Sequence, residues 1–135
     1  LRQKLPHLDA YNTARRSAAD FYDNAFADVP ELSAPHRDSN SSHVFHQYTL
    51  QLHPKINRNA LVEYLMSKDI PAMIYYPVAL HMQKAYKSDR YNEGDFKVTE
   101  ELVNTVFSLP MHTELREEQL ILITTTVKDF IKTQS

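Results

Sequence analysis

HVFHQYTLQL, residues 43–52, alternates: Val44, His46, Tyr48, Leu50 and Leu52 fall on one side of an extended chain, and His43, Gln47, Thr49 and Gln51 on the other. A period of two predicts a strand with one buried face. His46 shares the apolar side and reads as a hydrogen-bonded core histidine. Pro54 ends the strand, and Asn57 stands where it can cap a helix whose inner stripe is Leu61, Tyr64, Leu65 and Ile70. Upstream, residues 6–28 place Leu8, Tyr11, Ala14, Ala18, Phe21 or Tyr22, and Ala25 at three- and four-residue steps, with Val29 following. That spacing predicts an amphipathic helix, stopped by Pro30. PELSAPHRDSNSS, residues 30–42, has two prolines and a Ser/Asn/Asp cluster with no apolar anchor after Leu32, and reads as a surface loop.

Downstream, IPAMIYYPVALHMQKAY (residues 70–86) opens as a second strand over 72–76 and is broken by Pro77. KSDRYNEGD (87–95) is a loop. A helix over 97–106 is expected to bury Val98, Leu102 and Val106, VFSLPM (106–111) is a short third strand, and 117–132 is a helix burying Leu120, Ile123, Val127 and Phe130 or Ile131. Glu117 and Glu118 suit the positive end of that last helix. The expected order is α, β, α, β, α, β, α, which predicts an α/β (α+β-like) two-layer sandwich: a small, mainly antiparallel sheet of about three strands with four helices.

Composition excludes several functions. A chain of 135 residues is expected to form one domain, 1–135, burying roughly two thirds of its unfolded surface. The net charge is −2 with scattered basic residues, so nucleic acid is not the expected partner. There is no cysteine for a disulfide or a thiolate zinc site, and nothing demands an oxidising compartment; a cytoplasmic setting is expected. No apolar run approaches the ~18 residues of a membrane span, so no membrane partner is expected. The chain begins at Leu1 rather than methionine and reads as a processed or excised piece. It has one glycine, Gly94, where average usage of roughly 7% would give about nine. Loops that cradle phosphates need glycines for close backbone approach, so no P-loop or dinucleotide fingerprint exists here.

Seven histidines raise the question of metal, but His43 and His46 point to opposite faces of a strand and no carboxylate follows at ligand spacing. No nucleophile elbow frames a serine. The eight lysines lie in polar loops or on helix surfaces, without the apolar setting that depresses an amine's pKa. What remains is the 70–86 stretch. His81 follows a strand end and a proline break, where a side chain sits at a sheet rim and can meet a ligand; a structural turn histidine is the competing reading. Tyr75 and Tyr76 must face opposite ways on their strand, so at most one packs in the core. Exposed rings beside His81 and Tyr86 suit a sugar or nucleotide by stacking and hydrogen bonding, or else a partner domain.

Two stretches carry a resemblance. Ile70, Tyr75, Pro77, Leu80, His81, Gln83 and Tyr86, followed by Ser108, Leu109, Pro110, Met111, His112, Leu115 and Glu118, match the spacing of the DegT/DnrJ/StrS family, and the chain is similar to its C-terminal part over about residues 43–131. Ala79 departs from the proline usual there, and Arg116 stands where a capping Thr or Ser is common, a change worth ~1 kcal/mol at most. The family comprises pyridoxal-phosphate-dependent aminotransferases acting on nucleotide-linked keto sugars. The resemblance implies the small C-terminal domain of a fold-type I aminotransferase, with the cofactor, its lysine and its phosphate loop in a large N-terminal domain. The piece alone is expected to hold no cofactor and to be inactive. It also implies a homodimeric parent and a pocket wall built from His81, Tyr76, Tyr75 and Tyr86. The alternative is a free-standing regulatory or interaction module, since some members carry the name pleiotropic regulatory protein.

Overall fold

The computed structural model describes residues 2–134. Four helices accompany an open, fully antiparallel sheet of three strands: α1 Leu8–Phe26, β1 Leu32–Ser33, β2 Tyr48–Leu52, α2 Arg58–Met66, α3 Lys97–Thr105, β3 Val106–Leu109 and α4 Glu117–Gln134. The sheet order is β1-β2-β3, with Leu32 opposite Leu52 and Leu50 opposite Phe107. Tyr48, Leu50 and Leu52 alternate inward as the sequence predicts and share their buried face with Phe107 and Leu109. Against it pack Ala18, Ala19, Tyr22 and Phe26 of α1, Leu61 and Leu65 of α2, and Leu120, Ile123, Val127, Phe130 and Ile131 of α4. Burying a large aliphatic or aromatic side chain contributes ~1.5–3 kcal/mol, so this face dominates stability.

The alternation fails upstream of Tyr48. Val44 and His46, expected inside, are exposed, whereas Phe45 is buried. Phe45 takes a left-handed backbone (φ 49°), which breaks the extended chain and shifts the side-chain phase. His46 is therefore not a core histidine. His43 supports the turn, its Nδ1 accepting from the Phe45 amide, and the Arg37 guanidinium lies over the Phe45 ring.

Two further corrections concern strands. Residues 32–33, read as loop, form β1, and their two-residue length leaves no periodicity to detect. Residues 72–76 are not a strand: only Met73 pairs, with Ser108, through Met73 N–H to Ser108 O at 2.9 Å and the reverse bond at 2.8 Å. Extending that ladder would set Pro71 against Pro110, neither of which has an N–H. In the other direction it would set Tyr75 against Val106, whose amide already donates to Leu102 O to close α3. The actual order is thus α, β, β, α, α, β, α.

Asn57 caps α2 as predicted, accepting from the Ala60 amide at 3.1 Å. At α4 the Arg116 position is rescued from the other side: Gln119 Oε1 accepts from the Arg116 amide, half of a capping box. Leu8, Tyr11 and Val98 are exposed, so the inner stripe of α1 is confined to its C-terminal half, and α3 turns inward only near Thr105.

Arg58, unremarked in sequence, is only 8% exposed. Its Nη1 donates to Val103 O at 2.5 Å, and Nε and Nη2 both donate to Asn59 Oδ1. A guanidinium at the negative end of α3 satisfies a carbonyl the helix leaves open and joins α2 to α3. Arg58→Ala is expected to destabilise the fold by about 2–4 kcal/mol, read from urea or guanidinium denaturation. The Tyr22 hydroxyl donates to Pro110 O, and the Tyr48 hydroxyl to Asp23 Oδ1. Burial raises both phenols well above the ordinary tyrosine value, at Tyr48 with help from the Asp23 hydrogen bond and charge. Groups whose folded pKa is raised stabilise fully below the unfolded value and lose that contribution as pH rises. The melting temperature should therefore fall from about pH 10 upward. The fall should be smaller in Tyr48→Phe.

Candidate functional site: the His81 rim

After the Met73 bridge the chain leaves the sheet and makes two 3₁₀ turns, Leu80–Met82 and Lys84–Tyr86. Tyr75, Tyr76, Leu80, Met82 and Tyr86 are all exposed, Tyr76 to 75%. With no strand beneath them, Tyr75 and Tyr76 are not divided between a core and a surface face, and both face solvent. Ala79, at the departure from the family pattern, is buried.

Two grooves open along this segment. One, of about 410 Å³, is lined by Leu80, His81, Tyr86, Tyr91, Phe96 and Thr99. The other, of about 490 Å³, is lined by Tyr75, Tyr76, Pro77, Val78 and Met82 among others. The four residues singled out in the sequence are thereby split, His81 and Tyr86 in one groove and Tyr75 and Tyr76 in its neighbour.

The His81 side chain is only 7% exposed, although it stands among exposed neighbours. Its Nε2 meets Glu100 Oε1 at 2.9 Å, and its ring lies 4.8 Å from that of Phe96, which in turn meets Tyr91 at 5.4 Å. Glu100, in the first turn of α3, also accepts from the Gly94 amide at 2.9 Å and the Phe96 amide at 3.4 Å. Gly94 has φ +92°, a conformation side chains strain to adopt, so the single glycine falls where the loop must turn its amide to the carboxylate. Partial desolvation would raise the Glu100 pKa, but the hydrogen bonds from Gly94, His81 and Phe96 together hold it below the ordinary carboxylate value. Sequence reasoning missed Glu100, Tyr91 and Phe96; the signal was a lone glycine six residues before an acid in a helix's first turn.

All eight lysines are exposed or half-exposed, Lys128 pairing with Asp28 at 2.7 Å. Among the described residues no group of three or more His, Asp or Glu is arranged to hold a metal, and no helix is long and apolar enough to cross a membrane.

The sequence pattern of the DegT/DnrJ/EryC1/StrS aminotransferase family matches residues 1–128. The chain belongs to this family. It is 39% identical over 128 residues to the UDP-N-acetyl-3-dehydro-alpha-D-glucosamine 3-aminotransferase of Acidithiobacillus ferrooxidans, covering 95% of this chain and 33% of that protein. It is 35% identical over 133 residues to a pleiotropic regulatory protein of Geobacillus stearothermophilus, covering 96% of this chain and 34% of that one. The solved structure of S. venezuelae DesV, in complex with a ketimine intermediate, superposes with a TM-score of 0.88 at 27% identity, covering 96% of this chain and 34% of that chain. The chain spans about a third of the length of these relatives.

A carboxylate whose folded pKa is depressed stabilises fully above its unfolded value, ~4.3 for Glu, and loses that contribution as pH falls through the folded value. The melting-temperature gap between the natural chain and Glu100→Gln should therefore be largest near neutrality. It should close as pH is lowered below about 4.

Proposed function

We propose that this chain is the C-terminal domain of a pyridoxal-phosphate-dependent aminotransferase that transfers an amino group to a nucleotide-linked keto sugar, and that it supplies one wall of the substrate pocket. The observation that carries the reading is the rim of exposed aromatic side chains around a fixed histidine, in a chain 39% identical to a named nucleotide-sugar aminotransferase. His81, Tyr76, Tyr75 and Tyr86 are the substrate-facing residues. Flat phenol rings offer a stacking surface with a hydroxyl at the edge, and the imidazole offers one nitrogen left over from Glu100.

The cofactor forms its resting bond to a lysine amine and needs a cradle for its phosphate. The residues of this chain do not fit it: every lysine is at the surface, and the only glycine turns a loop toward Glu100. In our reading a large N-terminal domain holds pyridoxal phosphate, the intact protein is a cytoplasmic homodimer, and residues 1–135 form one domain of it. The exposed Met73, Val78 and Leu80, continuous in sequence with the tyrosines, support contact with that larger domain. The second reading, a free-standing regulatory module, is supported by the name of the G. stearothermophilus relative, at lower identity than the aminotransferase.

In the full-length protein, His81→Ala is expected to raise KM for the sugar nucleotide with kcat little changed. A lost hydrogen bond corresponds to about 0.5–1.5 kcal/mol if the substrate group is neutral and about 1.5–3 kcal/mol if it is charged. Steady-state kinetics check this. Unchanged KM and kcat with a lowered melting temperature would leave His81 a structural turn residue.

A further inference from the structure

The His81–Glu100 contact narrows what the imidazole can bind. An ionised carboxylate only accepts hydrogen bonds, so Nε2 must be the donor across the 2.9 Å contact. In the neutral ring the other nitrogen, Nδ1, then carries a lone pair and no proton. Among the described residues Nδ1 has no hydrogen-bond partner, and the only buried side-chain nitrogen or oxygen left unpartnered is Arg15 Nε. Nδ1 thus keeps access to solvent on a side chain that is otherwise enclosed, in a residue that lines the groove. The ring is packed against Phe96, and the carboxylate that holds it is itself held by the Gly94 and Phe96 amides.

We propose that Glu100 is a positioning residue, which fixes His81 in the Nε2–H tautomer so that Nδ1 faces the groove as a hydrogen-bond acceptor. Resting on the pocket-wall reading above, this assigns the group His81 contacts. An ionised phosphate oxygen has no proton to give to Nδ1, whereas a sugar hydroxyl has one. With the ring neutral, His81 therefore binds a hydroxyl of the substrate rather than its diphosphate. The same carboxylate holds residues 94–96 against α3, so the acceptor and the aromatic wall formed by Phe96 are set together.

The test is nitrogen-15 NMR of the histidine-labelled chain near neutral pH, with no ligand required. The natural chain is expected to show a His81 Nε2–H proton exchanging with water about tenfold or more slowly than in Glu100→Ala, with Nδ1 at the shift of an unprotonated nitrogen. A proton on Nδ1, or equal exchange in both proteins, overturns the proposal, and the tautomer of the natural chain decides even if the variant fails to fold. In the full-length enzyme, Glu100→Ala should raise KM about as much as His81→Ala, and the double variant no further. Additive effects would overturn the positioning role. If His81→Ala alone leaves KM unchanged, the pocket-wall reading and the hydroxyl contact fail, while the tautomer measurement still decides whether Glu100 positions the ring.

Discussion

The sheet rests on one constraint: β2 must turn Tyr48, Leu50 and Leu52 to the same side. β2 is the central strand, paired with β1 on one edge and β3 on the other, and a one-residue slip would send this whole set to the opposite face. The left-handed residue Phe45 sets the phase by ending the extended chain before β2 begins, so that its own ring and that of Tyr48 both enter the core. The centroid of Tyr48 lies 4.8 Å from that of Tyr22 and 6.2 Å from that of Phe45. Arg37 reinforces the junction, bridging Asp20 at 2.7 Å and Asp23 at 2.6 Å, while Asp23 also receives the Tyr48 hydroxyl. Exposed ion pairs contribute little singly. Here they tie the 37–45 segment to α1 at the point where the strand phase is chosen.

The backbone of β3 is paired on both sides, with β2 and with Met73, and this links the core to the His81 rim. Its inward residues Phe107 and Leu109 complete the apolar face, while Ser108 points the other way and meets Thr49 hydroxyl to hydroxyl at 2.8 Å. The backbone of Ser108 then turns outward to Met73. Beyond that pair the chain is free of the sheet, and its conformation is set by the two short turns and by Glu100.

Elements with many repeats of a pattern were legible in the sequence. α1, α2, α4, the inner residues of β2 and the Asn57 cap all follow from periodicity and capping chemistry. Features decided by a single residue or by distant partners were not. Phe45 belongs to an apparent alternation and carries no local mark of a positive φ. β1 is two residues long, and the strand expected at 72–76 fails because prolines and the closure of α3 remove its donors, which only the register reveals. The rim itself was visible as tyrosines around His81. Glu100 and Arg58 were not, because each acts on backbone groups of another segment, and charged residues on short helices ordinarily face solvent.

The bridge between Met73 and Ser108 also bears on local stability. A segment joined to a sheet by one residue pair, and otherwise rich in exposed side chains, has little burial to lose when it detaches. Such a segment is expected to open at a lower free energy than the core, at the cost of the Met73 bridge and the His81–Glu100 contact. The rim is thus a thinly packed segment tied to the rest of the fold at two points, the Ser108 bridge to the sheet and the Glu100 carboxylate on α3.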